Sequence, residues 1–235
     1  MKKQISEWIH INEIGGDPWI LPIWGAVQGA ERAGKIKKLP QKIYELGMHI
    51  SIRLNMLPKV FQRINTEYFK LCENLKNVGS KNRSTRNKNG YAYEIDNNLK
   101  YEILIDIDAL LFELNSCCEL MCKLIVDLYK HADKHIMQTP GVFIKELLKK
   151  SNSQIDWFVD LHRHRNFFIH EGAPYIAIDI SNRANNDLII MKENLKTFDD
   201  PDKFLLLSEV NIIIQGFINS KPVIQKNLID LFKKL

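Results

Sequence analysis

From Asn98 to His135 the apolar residues Ile103, Ile107, Leu110, Leu114, Cys117, Met121, Leu124 and Leu128 recur in steps of four and three without a break. Such a series falls on one side of the chain only in an α-helix, where 3.6 residues make a turn. Leu104, Leu111, Cys118 and Ile125 widen the stripe along one flank. The helix therefore presents a broad apolar face that packs against several neighbours, in place of the narrow seam of a two-stranded coiled coil. A chain built around this helix must supply others to cover it.

The rest of the sequence supplies them. Between Gln41 and Lys76 a second stripe runs through Ile50, Leu54, Leu57, Phe61, Ile64, Tyr68, Leu71 and Leu75, with Pro58 expected to kink or split the helix. The two long helices read as an antiparallel pair. Thr139 and Pro140 open a shorter helix over 139–150, and a further one carries Ile155, Phe158, Leu161 and either Phe167 or Phe168 on its apolar side. Beyond Pro174, the alternation of Ile176, Ile178 and Ile180, the turn "NRANND" and the run "LIIM" predict a β-hairpin. The segments "FLLLSEVNIIIQGFI" and "PVIQKNLIDLFKKL" read as two C-terminal helices, the second opened by Pro222. The predicted fold class is mainly α: an antiparallel helical bundle over 41–172, with the hairpin and the two C-terminal helices over 173–235 in the same domain. Residues 1–40, rich in glycine and proline, form an N-terminal lead with one short helix, packing Trp8, Trp19 and Trp24 on the core. The polar, basic stretch 77–90, "NVGSKNRSTRNKNG", reads as a loop.

With 45% hydrophobic and 26% charged residues the chain has the composition of a folded globular protein. A net charge of +5 favours an acidic partner without naming one. No run of about eighteen apolar residues occurs, and the start is too polar for a signal peptide. A cytoplasmic protein without a membrane partner is expected. Cys72, Cys117, Cys118 and Cys122 form no CxxC pair and read as small core residues in a reducing compartment. Asp127, His131 and His135 fall at i, i+4 and i+8, but the outer two would stand about 12 Å apart along a straight helix and cannot converge on one ion. His131 with His135 could hold zinc only if another element completed the site, and the expectation is of no metal and no cofactor.

The densest chemistry lies in "DLHRHRNFFIHEGAPY", residues 160–175. Gly172 and Pro174 stop the helix just after His170, where the helix dipole favours a protonated imidazole. Arg165 lies about 7.5 Å earlier along the axis, and Arg163, seven residues before His170, lies on the same face. A histidine able to move a proton, beside guanidinium groups able to hold an anion by bidentate hydrogen bonds, suits a phosphodiester. His162 and His164 read as surface residues, with His164 close enough in sequence to line the same pocket. Asn115, at the flank of the long stripe, is placed to reach across to this helix.

The stretch "RNFFIH", Arg165 to His170, resembles the Arg-x4-His signature of the HEPN superfamily (higher eukaryotes and prokaryotes nucleotide-binding domain), and Arg163 fits its longer Arg-x6-His spacing. The helical bundle over 41–172 is similar to the HEPN fold. The resemblance implies a homodimer and a metal-independent endoribonuclease of a microbial toxin or defence type, acting through the RNA 2′-hydroxyl, with a cognate antitoxin protein as a partner. By the same resemblance His170 is the general acid or base, Arg165 the phosphate clamp and Asn166 the orienting polar residue. Arg163, His164 and the basic loop residues Lys81, Arg83, Arg86 and Lys88 would contact the RNA. Some toxin-type members carry a tyrosine two residues after the histidine, where this chain has Gly172. The residues leave two rivals open: a non-catalytic HEPN-like module that binds RNA or a nucleotide, and a structural helical bundle that binds a protein partner.

Overall fold

A computed structural model describes residues 18–77, 83–87, 90–93, 97–171, 175–179, 186–195 and 197–235. The protein is mainly helical. Two long helices, α2 (Gln41–Asn77) and α3 (Asn97–His131), lie side by side, joined through a hairpin of β1 (Arg83–Asn87) and β2 (Gly90–Tyr93). α1 (Leu21–Arg32) precedes them; α4 (Pro140–Lys150), α5 (Asp156–Glu171) and α6 (Leu207–Lys233) follow. An antiparallel sheet of order β3-β4-β5 (Tyr175–Asp179, Asp187–Met191, Phe204–Leu206) stands between α5 and α6 in the chain. Among the described residues no helix is long and apolar enough to cross a membrane.

The central stripe is the core. Ile103, Ile107, Leu110, Leu114, Cys117, Met121, Leu124 and Leu128 are all buried, as are Leu111, Cys118 and Ile125 on the widened flank. α2 covers one side of α3, while α4, α5 and α6 cover the other. Charged pairs tie α2 to α3: Arg63 grips the buried Asp106 with Nε to Oδ2 at 2.7 Å and a second, Nη2 contact, and Arg53 pairs with Glu113. The N-terminal lead is part of this core as well. Trp19 and Trp24 are buried, Trp19 donates from Nε1 to the Lys221 carbonyl at 2.9 Å, and Trp24 lies so close to Gly47 that any side chain there would overlap it. Trp8 lies outside the described residues.

Several elements differ from the sequence reading. The two C-terminal helices are one, α6, with Pro222 inside it. Pro222 and Ile218, four residues before it, are both exposed, so water can meet the carbonyl that proline leaves without a donor. α2 likewise passes through the exposed Pro58 as a single helix. The start of "FLLLSEV" is strand β5, which adds a third strand to the expected hairpin. Within the stretch read as a loop, β1 pairs with β2 in a register that sets Asn87 opposite Gly90. Tyr91 and Tyr93 are good strand formers. Finally, α3 stops at His131, so His135 is not on the helix with Asp127 and His131.

α5 is held on α6 by a close approach at Gly216. Trp157 packs over that glycine, its Nε1 donates to Ser220 Oγ at 3.1 Å, and Ser220 Oγ donates to the Gly216 carbonyl at 2.7 Å. A Cβ on Gly216 would stand 2.6 Å from Trp157 Cβ and closer still to the indole ring. Gly216→Ala is therefore predicted to cost at least ~1–3 kcal/mol in stability by overpacking, read as a lower melting temperature, whereas the same change at Gly25 or Gly29, where a Cβ would meet nothing within 4 Å, leaves it unchanged or raised.

Candidate functional site on helix α5

The buried side of α5 is set by Trp157, Phe158, Leu161, His164 and Phe167. His164 thus occupies a core position in line with Leu161 and Phe167, and it is only 1% exposed, so it is no surface residue. The signal was present in the spacing: position 164 continues the stripe three residues after Leu161, but its imidazole was read by its polarity. Arg163 Nη2 donates to His164 Nε2 at 3.1 Å, which makes that nitrogen an acceptor and the ring neutral. Burial, reinforced by the Arg163 charge, lowers the His164 pKa to about 4.

Arg163 itself is engaged by carboxylates. Its Nη2 stands 3.4 Å from Asp160 Oδ1 one turn back and 3.7 Å from Glu209 Oε1 on α6. Glu209 also accepts the Leu206 backbone N–H at 3.0 Å, capping the first turn of α6. The network Asp160–Arg163–His164–Glu209 joins α5 to the start of α6; the sequence reading missed Glu209 because it pairs across separate segments, and Asp160 although it lies one turn before Arg163.

Arg165 differs. It is half-buried, its Nε is buried without a hydrogen-bond partner, and among the described residues no carboxylate stands within ion-pair distance of it. It lies close enough to His162 that its charge, after burial and Lys145, helps lower the His162 pKa, while Glu119 on α3 acts in the opposite direction. His162 is exposed and packs edge-on against Phe158 with ring centroids 4.9 Å apart. Asn115 is buried one turn before Glu119; its Nδ2 donates to Glu119 Oε1 at 2.8 Å and its Oδ1 has no hydrogen-bond partner. Arg165 on α5 and Asn115 on α3, two helices that pack together, each carry a buried polar atom with bonding capacity unused.

Asn166 is exposed, and His170 lies in the last turn of α5, its side chain outside the described residues. At 100° per residue, Asn166 and His170 are about 40° apart around the helix, and Arg165 is about 140° from His170 toward α3. Lys192, just after β4, sets its Nζ 5.0 Å from the centre of the Phe167 ring, a cation beside the motif that sequence reasoning did not find. Arg83 and Arg86 belong to β1, with side chains outside the described residues, as are Lys81 and Lys88 altogether. Among the described residues, no element pair joins the β1-β2 hairpin closely to α5.

Among the described residues, no group of three or more His, Cys, Asp or Glu side chains is placed to hold a metal ion. His131 bonds the Lys37 carbonyl through Nε2 at 2.7 Å. The Cys118 and Cys122 thiols are pushed upward by burial, Cys122 to about 11, which leaves them unreactive near neutral pH. Comparison with protein-family models, with curated proteins and with solved structures returned no match.

A histidine whose folded-state pKa lies below its ordinary 6.5 stabilises the fold fully above pH 6.5 and loses that contribution as pH falls toward 4, because the unfolded chain then binds the extra proton. Stability is predicted to fall by up to ~3 kcal/mol from this residue across that window. In chemical denaturation at pH 7.5 and 4.5, His164→Gln should show a smaller loss between the two pH values than the wild-type protein.

Proposed function

We propose that the protein is a metal-independent endoribonuclease of the HEPN type, of a toxin or defence class, cleaving RNA by attack of the 2′-hydroxyl on the neighbouring phosphate. The observation that carries this reading is the division between the two arginines of α5. Arg163 is neutralised by Asp160 and Glu209, whereas Arg165, five residues before His170, keeps a guanidinium without a described carboxylate partner and a buried Nε without an acceptor. An unpaired, partly buried guanidinium is costly unless an anion completes it, and phosphate offers a bidentate acceptor. Arg165 is then the clamp on the anionic phosphorus species, and Asn166, exposed on the His170 side of the helix, orients either the histidine or the scissile group. Arg163 and His164 support the helix instead of touching RNA.

Two protons must move in the reaction: one leaves the 2′-hydroxyl, and one reaches the departing 5′-oxygen. One imidazole cannot be base and acid at once. A homodimer that brings two copies of α5 together supplies the second His170, and the products are a 2′,3′-cyclic phosphate and a 5′-hydroxyl. A toxin-type member would act in the cytoplasm and be held in check by a cognate antitoxin.

The test is incubation of wild type and His170→Ala with labelled mixed-sequence RNA in excess EDTA, with analysis of the product ends. Cleavage by wild type to cyclic phosphate, reduced at least ~100-fold in a folded His170→Ala variant, is the expected result. RNA binding without cleavage by either protein would replace this reading with the non-catalytic binding module.

A further inference from the structure

A second feature lies at the other end of the bundle from the β1-β2 hairpin. The bond from His131 to the Lys37 carbonyl brings the connection between α1 and α2 against the C-terminus of α3. Arg32, Lys35, Lys37 and Lys38 come from the first segment, and Lys130 and Lys134 from the second; all six are exposed. Asp133 adopts a left-handed backbone, φ 52°, and the chain turns so that the Lys134 N–H reaches the Tyr129 carbonyl at 2.9 Å, which keeps Lys134 beside Lys130.

Residues 31–38 and 130–135 hold only two acids against these six cations. One of them, Glu31, is occupied by the Leu39 backbone N–H at 2.7 Å. Among the described residues none of the six cations makes an ion pair. The C-terminal dipole of α3 accounts for a favourable place for one or two positive side chains in its last turn, but not for the cluster on the α1-α2 connection. Six cations against two acids leave a net charge of +4 gathered from separate segments, which makes a polyanion-binding surface.

We propose that this basic end is a docking surface for the phosphate backbone of RNA, outside the cleavage site. The inference rests on the ribonuclease reading of α5 for the identity of the polyanion. Glu119, which lies within electrostatic range of His162, precedes His131 by twelve residues, about 18 Å along α3. One short single strand can therefore reach from the basic end to α5. An anionic membrane is the poorer occupant, because the cations do not line an amphipathic helix and the exposed Met137 beside them is a single apolar residue, short of the face that insertion requires.

The probe is a labelled single-stranded RNA methylated at every 2′-oxygen, which can be bound but not cleaved. Its dissociation constant is measured from 50 to 300 mM salt for wild type and for a variant carrying Lys35, Lys37, Lys38, Lys130 and Lys134 all changed to Gln. The variant is expected to bind at least tenfold more weakly at 100 mM salt, with a shallower salt dependence by ~0.7 for each lost phosphate contact. Its melting temperature should be unchanged, because the substituted side chains are exposed, and its kcat on a dinucleotide substrate should match wild type. Equal affinity and equal slope in the two proteins would overturn the proposal, whether or not wild type cleaves unmodified RNA. Patch-dependent binding without cleavage would uphold the surface and remove the ribonuclease reading. Patch-dependent capture of phosphatidylserine vesicles with no RNA binding would overturn it in favour of a membrane.

Discussion

Everything in this structure depends on covering the apolar face of α3. A helix of 35 residues with a stripe this wide cannot be satisfied by one neighbour, and the chain supplies α2 on one side and α4, α5 and α6 on the other. Burial of the stripe contributes roughly 1.5–3 kcal/mol for each Ile, Leu or Met. It also fixes where α5 can lie. Trp157, Phe158, Leu161 and Phe167 must face the core, and that requirement rotates Asn166 outward and sets Arg165 at the flank against α3.

The same constraint explains why the basic residues of α5 are unequal. Arg163 falls on the side where α6 begins, and there Glu209 is already committed to capping that helix, so one carboxylate serves the cap, the arginine and the packing of His164. Arg165 has no carboxylate partner among the described residues, and Glu119 on α3 is engaged by Asn115 Nδ2. Polar groups elsewhere in the α2–α3 interface show how costly such places are: Glu67, buried beside Asp106, has its pKa pushed up to about 7 by burial and by the charges of Asp106 and Glu102, and keeps one oxygen without a partner. A positive group left without a described carboxylate partner on α5 is therefore a choice the fold makes at a cost, which is the expected mark of a site that binds an anion.

Much of the helical architecture was legible because burial follows periodicity. The stripes of α2 and α3 appear at the described residues the spacing named, and Phe167 proved the more buried of the two candidate phenylalanines on α5; on α4 the expected apolar side of Val142, Phe143, Leu147 and Leu148 is fully buried only at Leu148, with Ile144 in the core and Val142 exposed. What was hidden depended on contacts between distant segments or on which side of a helix a residue fell. Pro222 reads as a start when its solvent exposure is unknown, and the "FLL" of β5 reads as helix until a partner strand is in place. At the candidate site, the spacing of Arg163, Arg165 and His170 was visible, but the acids that engage Arg163, the burial of His164 and the approach of Lys192 to Phe167 were not. Glu209 and Lys192 are distant in sequence; Asp160 is local, but its partner could not be chosen between two nearby arginines, and the burial of His164 follows the local stripe of Leu161 and Phe167 against the polarity of its imidazole.

On the proposed function, one arginine of α5 holds the helix and the other holds the substrate. The most direct measurement compares Arg163→Gln and Arg165→Gln by melting temperature and by single-turnover RNA cleavage. Arg163→Gln is expected to lower stability by ~1 kcal/mol with cleavage largely retained, while Arg165→Gln melts at or above the wild-type temperature and loses cleavage by roughly 100-fold or more. The reverse pattern, with cleavage abolished by the Arg163 change alone and untouched by the Arg165 change, would contradict it.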